Sequence, residues 1–326
     1  MSSIRFEEMI DYHARSSRGP RPTKESSVVE FKHILCPIDL SDSSAAPLAY
    51  AVAFARWYGS RLTVLHVVPT FDPMQIQFGG LGDPVRIVQP VPREEVLEAL
   101  RRAIDAAGAA TIDATPAAEA GDAAPTIVDQ AVALRADLIV LGTHGRSRFD
   151  RFLLGSVTEK VLRKAPCPIL TVPPLAPATA PARVAFKRIL CPMDFSPSAH
   201  QALGFALDLA RQANGEVTVL HVIEWLAEEQ ARAIAHFNVA EYRRHLVDDA
   251  HERIRGLAAE RPGASVEDLV VAGRAHREIL ETASTRESDL IVMGAQGRGG
   301  VGLTIFGSTT QQVVRAATCP VLTVRG

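Results

Sequence analysis

Three observations predict an α/β protein made of two tandem, open, doubly wound parallel sheets. First, the 326-residue chain can be laid over itself. Lys32-His33-Ile34-Leu35-Cys36-Pro37-Ile38-Asp39 matches Lys187-Arg188-Ile189-Leu190-Cys191-Pro192-Met193-Asp194, and Leu65-His66-Val67 matches Leu220-His221-Val222, both at an offset of 155. Further on the offset is 152: Asp137-Leu138-Ile139-Val140 matches Asp289-Leu290-Ile291-Val292, and Cys167-Pro168 matches Cys319-Pro320. This is a duplicated domain with a small deletion in the second copy. Second, continuous apolar runs alternate with helical patterns, as parallel strands buried on both faces require. Third, a glycine loop follows the same apolar run in each copy. Gly142-Thr143-His144-Gly145 is separated by nine residues from Gly155-Ser156, and Gly294-Ala295-Gln296-Gly297 by nine from Gly307-Ser308.

In order, residues 1–31 read as a mobile tail, with a short helix around 4–12 compatible with the pattern. Residues 34–38 form a strand, 43–57 a helix of small apolar residues, and 62–68 a second strand. In the second copy Ser196-Pro197 supplies an N-cap and a proline at the first helical position, where its missing N–H costs nothing. A helix follows (93–107; about 227–260), then a strand (about 111–118; 265–271) and another helix (125–134; 276–284). The apolar run before the glycine loop comes next, then a helix, and last a short strand (169–172; 321–324). Right-handed crossovers between parallel strands make each sheet doubly wound. The domains are expected at 32–173 and 187–326, joined by a Pro- and Ala-rich linker, 174–186. The copies differ most at 69–92, where prolines and glycines exclude a regular helix; a lid, a partner contact and poor order are all open there.

Composition narrows the function. With 47% apolar and 22% charged residues the chain reads as a soluble globular protein. A formal net charge of −2 gives no bulk attraction to nucleic acid or anionic lipid. Neither a signal-peptide core nor a bilayer-length apolar run is present in the sequence, so no membrane partner and a cytoplasmic location are expected. Four cysteines do not make a disulfide scaffold. They lack metal-ligand spacing and read as structural, as do His66 and His221.

A strand, a glycine loop and a helix start form a device for holding phosphate: glycines let the backbone approach a ligand, with positive φ expected, and the helix start offers unpaired N–H groups. The competing structural reading is a capping box, which Ser156-Val157-Thr158-Glu159 and Ser308-Thr309-Thr310-Gln311 both fit without any ligand. Asp39 and Asp194 end the first strand at the same sheet edge. Each suits ribose hydroxyls or a magnesium ion on the phosphates, against the alternative of capping the next helix.

Cys-Pro-x-Asp after the first strand, Leu-His-Val at the second, and Gly-x-x-Gly-x9-Gly-Ser before a helix ending in Ala165-Pro166-Cys167-Pro168 together resemble the universal stress protein domain. The resemblance covers residues 32–173 and 187–326. It implies a Rossmann-like ATP-binding domain with strand order 3-2-1-4-5, and, in tandem members, two domains paired like a fused dimer with their last strands adjacent. By that resemblance Pro37, Asp39 and Val67, then Pro192, Asp194 and Val222, approach ribose and adenine. Gly142, His144, Gly145, Gly155, Ser156, Val157 and Thr158 take the phosphates of the first site. Gly294, Gln296, Gly297, Gly307, Ser308, Thr309 and Thr310 take those of the second. ATP, with or without magnesium, is the implied cofactor.

The copies are not equivalent. Gln296 stands where the first copy has His144, and cannot carry charge. Arg146, Arg148 and Arg151 enrich the first loop, Gly299, Gly300 and Gly302 the second, so the first site is expected to bind more tightly. No catalytic base is recognisable and neither loop ends as a Walker motif does. The expected function is therefore a nucleotide-responsive stress regulator with an unknown protein partner, and at most slow hydrolysis or self-phosphorylation on Ser156 or Ser308. A homodimer is left open. The alternative is a chaperone-like or protein-interaction module in which nucleotide is incidental.

Overall fold

The computed structural model describes residues 29–70, 91–143, 154–174, 186–224, 239–297 and 306–325. The expected tail helix at 4–12, most of the 69–92 segment and most of the linker lie outside these residues.

The first copy runs β1 (His33–Pro37), a 3-10 turn (Asp42–Ser44), α1 (Ala45–Tyr58), β2 (Arg61–Val68), α2 (Arg93–Ala106), β3 (Ala114–Ala120), α3 (Ala123–Ala133), β4 (Leu138–Gly142), α4 (Ser156–Lys164) and β5 (Ile169–Val172). The second runs β6 (Arg188–Pro192), α5 (Pro197–Ala213), β7 (Glu216–Ile223), α6 (Val239–Ala259), β8 (Ser265–Ala272), α7 (Ala275–Thr285), β9 (Leu290–Gly294), α8 (Ser308–Ala316) and β10 (Val321–Val324). Each copy has the strand order 3-2-1-4-5, and the strands within it are parallel. Among the described residues one ten-stranded sheet results, because β10 runs antiparallel beside β5 with Val321 opposite Thr171 and Thr323 opposite Ile169.

The apolar runs are continuous because each strand feeds two cores. Along β4, Leu138 and Val140 enter one hydrophobic cluster and Ile139 and Leu141 the other. Along β9, Leu290 and Val292 part from Ile291 and Met293 in the same way. Successive strand side chains point to opposite faces, so a run without polar interruption requires cover on both. Helices α1 and α5 pack into the first cluster, and α3, α4, α7 and α8 into the second. The first cluster is continuous between the copies, with Phe54 and Phe186 ring centroids 5.7 Å apart and those of Phe31 and Phe205 6.3 Å apart.

Local chemistry sets the helix ends. Ser196 caps α5, its side chain accepting from Ala199 N–H, with Pro197 first in the helix as its sequence predicts. The corresponding helix of the first copy starts later than expected: the Asp42–Ser44 stretch makes a tighter turn and α1 begins at Ala45. Strand β3 likewise begins three residues late, at Ala114, because Ile112 N–H is taken by Ala109 O in a turn after Gly108 (φ +73°). Among the described residues no helix is long and apolar enough to cross a membrane.

Candidate functional site

In an open parallel sheet the crevice for a ligand lies past the strand ends where the winding reverses. Here that is between β1 and β4 in one copy and between β6 and β9 in the other. Asp39 and Gly142 flank the first crevice, Asp194 and Gly294 the second.

The loop after β4 returns to its own starting point. Thr143 N–H bonds Val172 O at 3.2 Å, and Gly155 N–H, on the far side of the loop, bonds Thr143 O at 2.8 Å. Thr158 then donates its hydroxyl to Gly142 O at 2.8 Å. The second copy repeats each bond: Ala295 N–H to Val324 O at 2.7 Å, Gly307 N–H to Ala295 O at 2.9 Å, and Thr310 Oγ1 to Gly294 O at 2.9 Å. A buried threonine thus clamps the first turn of each helix onto the strand end.

This geometry corrects the capping-box reading. The N-cap residues are Gly155 and Gly307, while Ser156 and Ser308 already lie inside the helix, with exposed side chains. Glycine has no side chain to cap with, so among the described residues no side chain caps the first helical N–H groups, a helix start that suits water or an anion. The glycines also do not take positive φ: Gly155 sits at −58° and Gly307 at −63°. The hydroxyls of Thr158 and Thr310, assigned above to phosphate, are donated to main-chain carbonyls, which leaves Ser156 in the first copy and Ser308 and Thr309 in the second as the other hydroxyl side chains of this turn.

Gly294 has a packing reason for lacking a side chain. A Cβ there would lie 2.5 Å from Ser198 Oγ and 2.9 Å from Ala199 N, in the first turn of α5. Ser198 also donates to Gln296 O, and Ser196 Oγ lies 3.4 Å from the same oxygen. Ser198 escaped the sequence reading; its only trace there is the Ser196-Pro197-Ser198 spacing. Gly297 lies beside the carboxylate of the neighbouring strand: its Cβ would be 3.0 Å from Asp194 Oδ2. The structure thus brings Gly297 and Asp194 together. His144 and Gly145, together with Arg146, Arg148 and Arg151, lie outside the described residues.

The aspartates are held by the turns that follow them. Asp39 Oδ1 accepts from Ser41 N–H at 3.0 Å, Ser41 Oγ at 2.5 Å and Ser44 Oγ at 2.7 Å. Asp194 Oδ1 accepts from Ser196 N–H at 3.0 Å. Both side chains stay half-buried at the crevice mouth. His66 and His221 play the same part in the two copies. Their Nδ1 atoms bond Ile38 O at 2.8 Å and Met193 O at 2.6 Å, fixing the peptide in front of each aspartate. A bond to a carbonyl makes Nδ1 the protonated nitrogen. Val67 and Val222 follow these histidines on β2 and β7, and Pro37 and Pro192 close β1 and β6 beside Leu65 and Leu220.

The family model described as universal stress protein matches residues 30–173 and again 185–325. The chain belongs to that family. It is 26% identical over 323 residues to universal stress protein Rv2005c of Mycobacterium tuberculosis, covering 94% of this chain and 99% of the relative. Universal stress protein Rv2623 of the same organism is 29% identical over 309 residues, covering 88% and 95%. The crystal structure of a universal stress protein from Archaeoglobus fulgidus superposes with a TM-score of 0.59 at 27% identity, covering 90% of this chain and 98% of that one.

Proposed function

We propose that this universal stress protein binds ATP at two sites, one per copy, and acts in the cytoplasm as a nucleotide-responsive regulator in the stress response. The observation that carries the reading is the twofold recurrence of one arrangement. A glycine N-cap, an exposed first-turn serine and a helix start pinned to a strand end sit in each copy at the sheet edge that also carries a turn-held aspartate. Phosphates suit the unpaired N–H groups of the helix start, and ribose hydroxyls suit the carboxylate. Among the described residues no three His, Cys, Asp or Glu side chains converge as a metal site. A magnesium ion arriving with ATP would therefore rest on phosphate oxygens and water, with Asp39 or Asp194 as its protein contact.

In this reading the domains are 32–173 and 187–326, and they act as a fused pair. Besides β5 and β10, Gln311 Nε2 reaches Glu159 Oε1 at 3.3 Å, linking the first turns of α8 and α4, and Arg325 donates to Leu162 O at 2.9 Å. Nucleotide favours one setting of the loop and so one partner surface. The protein is denatured after purification, and the released nucleotide is identified and counted against chain. We expect ATP, with the first site the tighter by calorimetry. No released nucleotide, together with no uptake of added ATP, overturns the reading.

A further inference from the structure

The residue after each strand-end aspartate has a left-handed backbone, Leu40 at φ +60° and Phe195 at φ +61°. Side-chain-bearing residues avoid this region, and for a bulky one it is a real outlier held by its surroundings. Because both copies have it, the bend belongs to the site: it carries the chain off the strand end and sets the aspartate at the mouth of the crevice.

The copies hold the bend with different chemistry. In the first, three donors from Ser41 and Ser44 converge on Asp39 Oδ1, and Asp39 N–H returns a bond to Ser44 Oγ at 3.2 Å. In the second, alanine (Ala199) takes the place of Ser44, and the Ser196 hydroxyl caps α5. There the aromatic ring of Phe195 is gripped instead. The Arg253 guanidinium of α6 lies 3.7 Å from its centroid, and the His221 ring lies 4.9 Å away at 47°. Phe195 N–H also contacts Met193 Sδ at 3.4 Å, and His221 holds Met193 O. Arginine over an aromatic face is attractive, more so when partly shielded from water.

We propose that Arg253 is a positioning residue for the second site: stacked on Phe195, it fixes the Asp194 turn from α6 and thereby the carboxylate offered to the ribose of a bound nucleotide. The nucleotide part rests on the function proposed above; the positioning part does not. It makes the second site dependent on the seating of α6, whereas in the first three donors of the following turn converge on the aspartate.

The test uses the full chain with Arg253→Met, which keeps length and loses charge, and Arg253→Lys, which keeps a cation. Hydrogen exchange is followed, without nucleotide, at the Ser196 amide that donates to Asp194, with the Ser41 amide as internal reference. Arg253→Met should speed exchange at Ser196 and leave Ser41 unchanged, and Arg253→Lys should restore protection. In calorimetry Arg253→Met should weaken ATP about 3–10-fold at the second site only, and reduce its preference for ATP over 2′-deoxy-ATP. Unchanged exchange at Ser196, or equal acceleration at Ser41, overturns the positioning role. If wild-type protein takes up no ATP, the nucleotide reading fails alone and the exchange result still decides the role of Arg253.

Discussion

Replacing Gly294 by alanine separates a glycine needed by the fold from one needed by a ligand. Its new Cβ would meet Ser198 Oγ at 2.5 Å and both Ala199 N and Ser198 C at 2.9 Å. The serine hydroxyl can rotate away; the two main-chain atoms cannot, because α5 is fixed there by its Ser196 cap and by buried Ala199, Ala202 and Leu203. Forced overpacking of this kind costs about 1–3 kcal/mol. For a domain of this size that lowers Tm by about 3–9 °C. Gly307→Ala is the companion. There the nearest atoms to a new Cβ are Ala295 O and Thr310 Oγ1 at 3.4 Å, and the backbone at φ −63°, ψ 138° suits alanine. The expected stability loss is under about 1 kcal/mol, from the poorer N-cap residue alone. Both substitutions lie in the second copy, so thermal melts followed by circular dichroism without nucleotide compare the same transition. Gly294→Ala should melt clearly below wild type and Gly307→Ala close to it, while ATP titration should show the larger site-specific loss for Gly307→Ala. A Gly294→Ala protein that melts with wild type, or a Gly307→Ala protein that melts as low as Gly294→Ala, would refute the packing account.

Two further outcomes follow from buried titratable groups. His33 is enclosed, with Nδ1 at 3.1 Å from Leu134 O and Nε2 at 2.8 Å from Thr63 Oγ1; burial, and then the Arg61 charge, hold its pKa below the ordinary 6.5. The folded state therefore binds the proton less readily than the unfolded chain, so this contribution is intact above pH 6.5 and is lost as pH falls below it. Melts between pH 8 and 5.5 (about the histidine range) should fall less steeply for His33→Gln than for wild type; equal slopes would contradict the assignment. Burial pushes the Cys167, Cys191 and Cys319 thiols up to about 12 and Cys36 higher still. Because the thiolate is the reactive form, a thiol reagent at pH 8 should label the native protein about a hundred-fold or more slowly than the unfolded chain; rapid labelling of any one cysteine would reopen a redox role.

The sheet was legible because its signals are local and repeated. Uninterrupted apolar runs such as Leu138 to Leu141 have few other homes than a strand covered on both faces, and two copies of each pattern fix the register of one against the other. The start of β3 was not legible: Thr111 and Ile112 have strand-forming side chains, yet the turn after Gly108 takes the Ile112 amide, and tertiary pairing begins only at Ala114 opposite Leu62. The 3-10 turn before α1 was missed for a related reason. Asp39 draws the Ser41 and Ser44 hydroxyls back to itself, and a side chain so engaged no longer caps a helix.

The placement of the described candidate residues was legible in the sequence, but their division of labour was not. Sequence put the aspartates, glycines and hydroxyls at one sheet edge. What it could not assign was which glycine meets protein and which faces the crevice, because Gly294 is constrained by Ser198, 96 positions earlier in the chain, and Thr310 by the carbonyl of Gly294. Duplication resolves this by acting as an internal comparison. Contacts present twice, such as the threonine clamp, the histidine bond to the peptide before the aspartate and the left-handed residue after it, are requirements of the domain whatever each crevice holds. Contacts present once mark divergence: Ser44 against Ala199, Leu40 against Phe195 with its arginine, His33 against Arg188. These differences lie in the turns after the aspartates and on the first strands, while the shared contacts lie both at the helix starts and beside the aspartates. If the two crevices take the same class of ligand, as proposed above, helix starts built alike in both copies beside aspartate turns held by different side chains are expected to give the two sites different strength and different sensitivity to the rest of the chain.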